Sequence, residues 1–560
     1  MAENVRVFAL GGLDEDGKNC YVIEAGQDIF VLEAGSKYPD VSKPGIDLVI
    51  PNFSYLKENK HRVRAYIITH GHDDLFGALP FIYEDVPAPI YASKPTIVMI
   101  EAFSKKWGFD HKYNFVETKP TAQHIIAGRQ VNFFQTTHMM MGSFGVALNT
   151  EAGYIIYSGD YIVEYSQNES YSHDLNSLAK ISENNVLALL IESKGADRKG
   201  YTSPNHRLTP HILRPFQDAK GRIFISVYNQ STYQLEEIIA VARRFNKKIY
   251  FYDDEVRRYF RQFQNIGQLR LPPSVVVDKD DLLRVRQSDL LILMMGQGDE
   301  VYRQIALLAS KSHEDRRISL LPTDTFIVAA PPAYNFETLA TQAIDDLYKT
   351  GVEVVNIGRR KLISMHASEE DVKMLLSLLR PKYYIPVTGD YTQMMANAKL
   401  AVGMGIGLNH NNVFLLENGN IINFVDGKAR LHVRDDEVIE AKELYIDGMG
   451  VGDTSSGVLE DRSTLSNDGV VVLGLSIDKF KRQIVAGPDI QMRGFIFVRE
   501  NDVIISELAK MYVEIVDKAL KAPGKFDENA VITEVEDAAS RILWRETRRR
   551  PMILPLLSNI

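Results

Sequence analysis

The sequence predicts an α/β protein built from more than one unit, and three observations predict it. Up to Gly128, short apolar β-runs alternate with helical stretches. From Gly221 the pattern changes to isolated buried strands, each leading to a helix, as in a parallel sheet. From residue 455 the chain begins again, with strands first and two long helical patterns after them. A length of 560 residues accommodates three or four domains, each with a sizeable core.

Composition narrows the function classes. Hydrophobic residues at 45% and charged residues at 24% are those of an ordinary soluble globular protein. The only cysteine, Cys20, excludes an internal disulfide and a cysteine-based zinc finger, and fits a reducing compartment. The start, Met1-Ala2-Glu3-Asn4, has no basic region or apolar core, and no apolar run reaches membrane-spanning length. A cytoplasmic protein with no membrane partner is expected. The net charge of −9 argues against a general polyanion binder, so any nucleic acid must be met by basic groups gathered locally.

The first elements read as strands at Val5–Leu10, Tyr21–Ile23 and Ile29–Leu32, with a Gly/Asp-rich turn from Gly11 to Asn19, closed by Glu33-Ala34-Gly35. The apolar run Ala65-Tyr66-Ile67-Ile68 then ends in Thr69-His70-Gly71-His72-Asp73-Asp74-Leu75. A strand ending in His-x-His-x-Asp sets two imidazoles and a carboxylate on one short loop, within reach of a common point. Zinc and similar borderline cations prefer such a nitrogen-rich set. Histidines at a strand end are often satisfied by loop contacts alone, but the full strand-loop context favours a metal.

This stretch resembles the metallo-β-lactamase signature His-x-His-x-Asp-His, which implies an αββα sandwich. In the hydrolytic members of that superfamily a first metal takes the leading histidines and a second takes the Asp and the His after it. Leu75 stands at that last position and has no lone pair to offer. By the same resemblance, His138, which ends the strand Val131–His138, is the third histidine of the first position, and Asp160, after Gly153–Tyr157, is the shared carboxylate. His70, His72, His138 and Asp160 then make one four-ligand site, sufficient for zinc. Asp74 is expected to serve both as a metal ligand and in catalysis.

After Leu187–Ser193, the polar stretch Lys194 to Arg207 reads as a boundary. The strand at Gly221–Val227, the helix Thr232 to Phe245 and the strand Lys248–Phe251 open an inserted α/β unit that continues to Ala329. An α/β insertion in such a chain resembles the β-CASP nucleases. Ser364-Met365-His366-Ala367-Ser368 and the run from Leu379 to Tyr391, which includes Pro381-Lys382-Tyr383-Tyr384-Ile385-Pro386-Val387, identify the chain as similar to the ribonuclease J family, and to a catalytically weaker branch of it.

That resemblance implies RNA as substrate, metal-dependent 5′-to-3′ exonucleolysis with endonucleolytic cleavage as a second mode, and roles in RNA processing, rRNA maturation and mRNA decay. It gives His366 a catalytic place beside the scissile phosphate and makes Ser364, His366, Ala367 and Ser368 a phosphate-holding loop. Thr388 replaces the family's last metal-binding histidine. With Leu75 it strips the second position to Asp74 and Asp160, a set suited at best to labile Mg²⁺ or Mn²⁺ held through water. The segments Tyr228–Tyr233 and Met295–Glu300 have drifted from the family pattern too. Slow hydrolysis follows, because half of a two-ion charge clamp is gone. The alternative is a catalytically inactive RNA-binding or scaffolding subunit that assembles with an active paralogue.

The expected domains are 1–205, the first part of the lactamase-like sandwich; 206–352, the insertion; 353–432, the completion of the sandwich; 433–454, a linker; and 455–560, a small α+β unit. The resemblance gives that last unit a part in self-association, as dimer or tetramer, and in hetero-association. Its run Arg545, Arg548, Arg549, Arg550 either meets RNA phosphates or is a solvated helix end pairing with acidic neighbours.

Overall fold

A computed structural model of the chain describes residues 3–40, 42–165, 171–332, 336–432, 438–448, 450–452, 456–495 and 502–560. The chain divides into two compact units, Met1–Tyr38 with Leu48–Leu444 and Pro39–Asp47 with Tyr445–Ile560. Among the described residues, no helix is long and apolar enough to cross a membrane.

The larger unit is a metallo-β-lactamase αββα sandwich with an inserted β-CASP sheet. Its eight-stranded sheet runs, in spatial order, Lys428–His432, Ile421–Val425, Val5–Gly11, Cys20–Ala25, Asp28–Leu32, Val63–Ile68, Ile90–Ala92, Phe115–Glu117. The six-stranded sheet runs Tyr383–Val387, Val186–Glu192, Gly153–Tyr157, Phe144–Thr150, Arg129–Gln135, Gln123–Ile126. Val7, Tyr21, Phe30 and Ile67 of the first sheet bury against Phe133, Val146, Tyr157 and Leu190 of the second. Each such apolar side chain contributes roughly 1.5–3 kcal/mol of burial. The helices Leu175–Ser182, Glu369–Leu379 and Tyr391–Gly403 cover the second sheet with Leu178, Leu375, Leu376 and Ala401. Helix Lys94–Lys106 packs beside Phe115–Glu117 of the first.

Val186–Glu192 is buried along its whole length and pairs in parallel with both neighbours, which is why it reads as a continuous apolar run. The strands Val63–Ile68, Arg129–Gln135, Gly153–Tyr157, Val186–Glu192 and Tyr383–Val387 each hand the chain, at their carboxyl ends, to one of the polar loops that form the site described below.

The insertion is a five-stranded, all-parallel sheet ordered Lys248–Phe251, Leu290–Gly296, Ile223–Tyr228, Thr325–Val328, Glu353–Asn356. Its last strand, Glu353–Asn356, lies just beyond residue 352, where the sequence placed the boundary. The register of Val354 beside Phe326 carries the insertion on to Asn356.

In the smaller unit Val470–Asp478 is the central strand, antiparallel to Gln483–Arg493 and parallel to Met552–Asn559. Helices Asp502–Lys521 and Glu528–Thr547 lay Leu508, Tyr512, Val516, Val535 and Leu543 on this sheet. The helix Ser456–Asp468 and the strand Met552–Asn559 were not foreseen in the sequence. The sequence reads Gly494-Phe495-Ile496-Phe497-Val498 as a further strand of this unit, of which residues 496–498 lie outside the described residues, as do 433–437, 449 and 453–454 of the expected linker. Within that linker stands the strand Glu443–Asp447. Arg545 pairs with Glu507 and Glu546, while Arg548 and Arg550 lie over Trp544, which is the solvated-helix-end alternative for this run.

Candidate metal centre

Four of the expected ligands converge. One ligating atom each from His70, His72, His138 and Asp160 lies within 4.8 Å of all the others, and all four residues are buried. His70 Nε2 and His72 Nδ1 face each other at 3.0 Å. Their outer nitrogens have acceptors of their own. His72 Nε2 donates to the Gln230 carbonyl at 2.9 Å, and His70 Nδ1 lies 3.2 Å from Thr69 Oγ1, which itself donates to Glu33 Oε1 at 2.6 Å. His138 Nδ1 donates to the Met365 carbonyl at 2.6 Å. Each outer N–H fixes a tautomer whose inner nitrogen carries a lone pair.

Burial holds the imidazoles of His70 and His138 well below the usual histidine range, and the crowding of neighbouring imidazoles adds to it. His72 is lowered as well, again chiefly by burial, with Asp74 partly opposing. Neutral histidines are what a metal requires. His138 Nε2 and both Asp160 carboxylate oxygens are buried without a hydrogen-bond partner. Such atoms cost roughly 1–3 kcal/mol each when nothing meets them, so three imidazoles and a carboxylate around one point fit a divalent cation.

Asp74 does not join this group. Its Oδ2 is 3.1 Å from Lys194 Nζ and 3.3 Å from Asn19 Nδ2. Beside it Leu75 and Thr388 are fully buried, and Thr388 Oγ1 is paired at 2.8 Å with the Tyr21 hydroxyl. Thr388 has φ +54, a left-handed backbone that a β-branched residue adopts at a cost of about 1–3 kcal/mol. Gly35 lets this wall close, since a Cβ there would stand 1.7 Å from the Asp74 carbonyl oxygen. The donors that a second metal position needs are missing or already paired.

His366 borders the cluster on its other side. Its Nδ1 is 2.6 Å from Glu192 Oε2 and 3.6 Å from Asp160 Oδ2. Burial pushes Glu192 up to about 7 and His366 down to about 4. Asp160, Glu192 and His366 form a second group with metal-ligating spacing. Glu192 was missed in the sequence because it ends an apolar strand.

The loop expected to hold phosphate is mostly committed within the protein. The Ala367 N–H donates to Glu192 Oε1 at 3.0 Å. Ser368 caps helix Glu369–Leu379 in a capping box with Asp371, and its hydroxyl meets Thr202 Oγ1 at 2.7 Å. Ala367 and Ser368 are buried, which leaves Ser364, exposed, and His366, half-buried, as the members a substrate reaches. Arg198 binds the Ser364 and His366 carbonyls at 3.1 and 2.6 Å. Lys194 to Arg207, read from sequence as a boundary, is therefore part of the site.

The drifted loops of the insertion have structural work of their own. Gln230 Nε2 and Gln297 Nε2 donate to the two oxygens of Asp73 at 2.9 and 2.5 Å, and Tyr38 donates to the same carboxylate at 2.9 Å. They clamp the metal loop onto the insertion.

The chain matches the family models described as metallo-beta-lactamase superfamily over residues 13–192, ribonuclease J beta-CASP domain over 220–347, and ribonuclease J C-terminal domain over 457–560. It is similar to a protein described as ribonuclease J 2 in Staphylococcus saprophyticus, with 30% identity over 558 residues that cover 100% of this chain and 99% of the relative. Proteins of the same description in Staphylococcus epidermidis and Staphylococcus aureus are 29% identical, with the same coverage. A solved structure of a protein of unknown function from Enterococcus faecalis V583 superposes with a TM-score of 0.52 at 15% identity, covering 75% of this chain and 100% of its own, a likeness of fold.

Proposed function

The chain belongs to the ribonuclease J family, and from that premise we propose that it is a metal-dependent ribonuclease of low intrinsic rate, working 5′ to 3′ with endonucleolytic cleavage as a second mode, from a single metal position. The observation that carries this reading is the buried set His70, His72, His138 and Asp160, with its unpartnered inner atoms. Zinc is the assigned occupant and Mn²⁺ the alternative. Asp74, which its place in the signature puts among the ligands and catalytic groups, is assigned instead to shaping the wall beside the metal position.

Bound to those four residues, a divalent cation supplies Lewis acidity, lowering the pKa of a water and drawing charge from the phosphoryl oxygens. The protein's own groups do the rest. Glu192 fixes the His366 ring through Nδ1, which leaves Nε2 for the phosphate or for the proton that moves during cleavage. Ser364, held by Arg198, offers its hydroxyl at the open edge of the same loop. The carboxylate of Asp160 faces His70, His138 and His366 at 4.0, 3.8 and 3.6 Å, which places it between the histidine cluster and the His366 ring.

Association with further copies, and with a catalytically complete paralogue, is assigned to the smaller unit in the cytoplasm. Its edge strand Met552–Asn559 exposes Leu554 and Leu556, and an apolar strand edge is a pairing surface. The closed second position favours a second reading, a scaffolding subunit that binds RNA or its paralogue without useful turnover. The deciding experiment measures metal per chain and hydrolysis of a 5′-monophosphorylated RNA on protein freed of host nuclease. One metal with slow cleavage that His72→Ala abolishes supports the enzyme; RNA binding with no cleavage supports the scaffold.

A further inference from the structure

Lys194 follows directly after the strand Val186–Glu192 and Ser193. Its Nζ stands 2.8 Å from Asp16 Oδ1 and 3.1 Å from Asp74 Oδ2, and its side chain is only 15% exposed. The backbone is pinned as well: the Lys194 carbonyl accepts from Gln393 Nε2 at 3.2 Å, and the Ser193 N–H donates to the Thr388 carbonyl at 2.9 Å. The lysine head therefore sits on the carboxylate oxygen that a second cation would use, between the strand that leads to it and the loop that carries Thr388. Leu75 and Thr388, both fully buried, are the replaced donors of that same position.

We infer that Lys194 is a tethered replacement for the second metal ion: its ammonium bridges the Asp16 and Asp74 carboxylates and keeps divalent cations out of the pocket. The inference rests on the one-metal reading above and extends it. A divalent cation entering here would have to displace an ammonium already holding two carboxylates at ion-pair distance, and would find neither Leu75 nor Thr388 able to complete its shell of oxygens or nitrogens. An ammonium meets those carboxylates with three N–H donors and needs no further shell. It can also donate to a phosphoryl oxygen, but it has no empty orbital with which to acidify water. The site thereby keeps a positive charge at this position and loses the second ion's Lewis acidity.

Equilibrium dialysis of the full chain against Mn²⁺, with metal counted by mass spectrometry, tests this without RNA. The unchanged protein should bind one ion per chain. Lys194→Ala should bind one more, Lys194→Ala with Asp74→Asn should lose that extra ion, and Lys194→Arg, which keeps the charge, should show no gain. Lys194→Met, which keeps the aliphatic stem, repeats the test if the alanine variant fails to fold. A count that stays the same in a folded Lys194→Ala or Lys194→Met protein overturns the inference, as does a gain in Lys194→Arg equal to that in Lys194→Ala. A wild-type chain with no metal at the histidines sinks the one-metal reading by itself, while the difference between wild type and variant still reports on the lysine.

Discussion

Two positions share one edge of the sandwich and are treated in opposite ways. At the first, His70, His72, His138 and Asp160 bring inner atoms together and leave three of them, His138 Nε2 and the Asp160 oxygens, without any protein partner. At the second, the groups around Asp74 are met from within the chain: Asp74 Oδ2 by Lys194 and Asn19, the Thr388 hydroxyl by Tyr21, while Leu75 offers only hydrocarbon. A binding site is recognisable by the bonds it withholds from its own ligands. A lost site is recognisable by partners that have moved in, and counting the residue types alone would not separate the two.

The largest effect that sharpens this contrast is His72→Ala. Removing an inner ligand should lower metal affinity by more than the roughly 100-fold upper end of outer-partner changes, and abolish RNA hydrolysis in the same preparation. Metal content and cleavage are measured together, and cleavage that persists after the metal is gone would place the activity elsewhere. His366→Ala comes next. Metal content should hold while the single-turnover rate falls by about 100-fold or more, the range of a positioned proton-transfer group. Thr69→Val removes the hydroxyl between Glu33 and His70, and should weaken metal binding by about tenfold. A competition titration with a chromophoric chelator reads that shift.

The smallest expected effect is the most direct attempt to break the comparison. Leu75→His with Thr388→His restores two nitrogen donors to the second position, yet the metal count should stay at one because the ammonium is still in place. Adding Lys194→Ala to the pair should raise it to two. A gain in the double variant would show that the missing donors, and not the lysine, keep the pocket closed.

The first position was legible in the sequence because each ligand follows a strand that announces itself: Ala65–Ile68 before His70, Val131–Gln135 before His138 and Gly153–Tyr157 before Asp160. The parallel sheet of the insertion was legible for the same reason, since its strands are continuous apolar runs. Lys194 was not, because a lysine in a stretch with Asp197, Arg198 and Lys199 looks like solvated linker, and only the fold brings it to Asp74. Asp73 and Asp74 are neighbours of the same type, and sequence cannot say which one turns toward the insertion and which toward the lysine. The strand Met552–Asn559 was hidden by Pro555, which a parallel edge strand tolerates and a central one would not. The internal bonds of the loop expected to hold phosphate were not legible either: the Ala367 and Ser368 N–H groups go to Glu192 and Asp371, which only the fold brings beside them.

The hydrogen bonds around the histidines also set an order of events in time. His72 is held by the Gln230 carbonyl, 158 residues further along, and His138 by the Met365 carbonyl, 227 residues further along. A growing chain can present His70 and His72 long before the groups that orient them have been synthesised. The sheet that carries Gln230 must form, and the crossing back through Tyr383–Val387 must dock, before the pocket has its final shape. Contacts of such sequence separation close late and slowly. The histidine pocket thus takes its final shape late in folding, and a chain interrupted before residue 366 carries the His-x-His-x-Asp stretch without the groups that orient its rings.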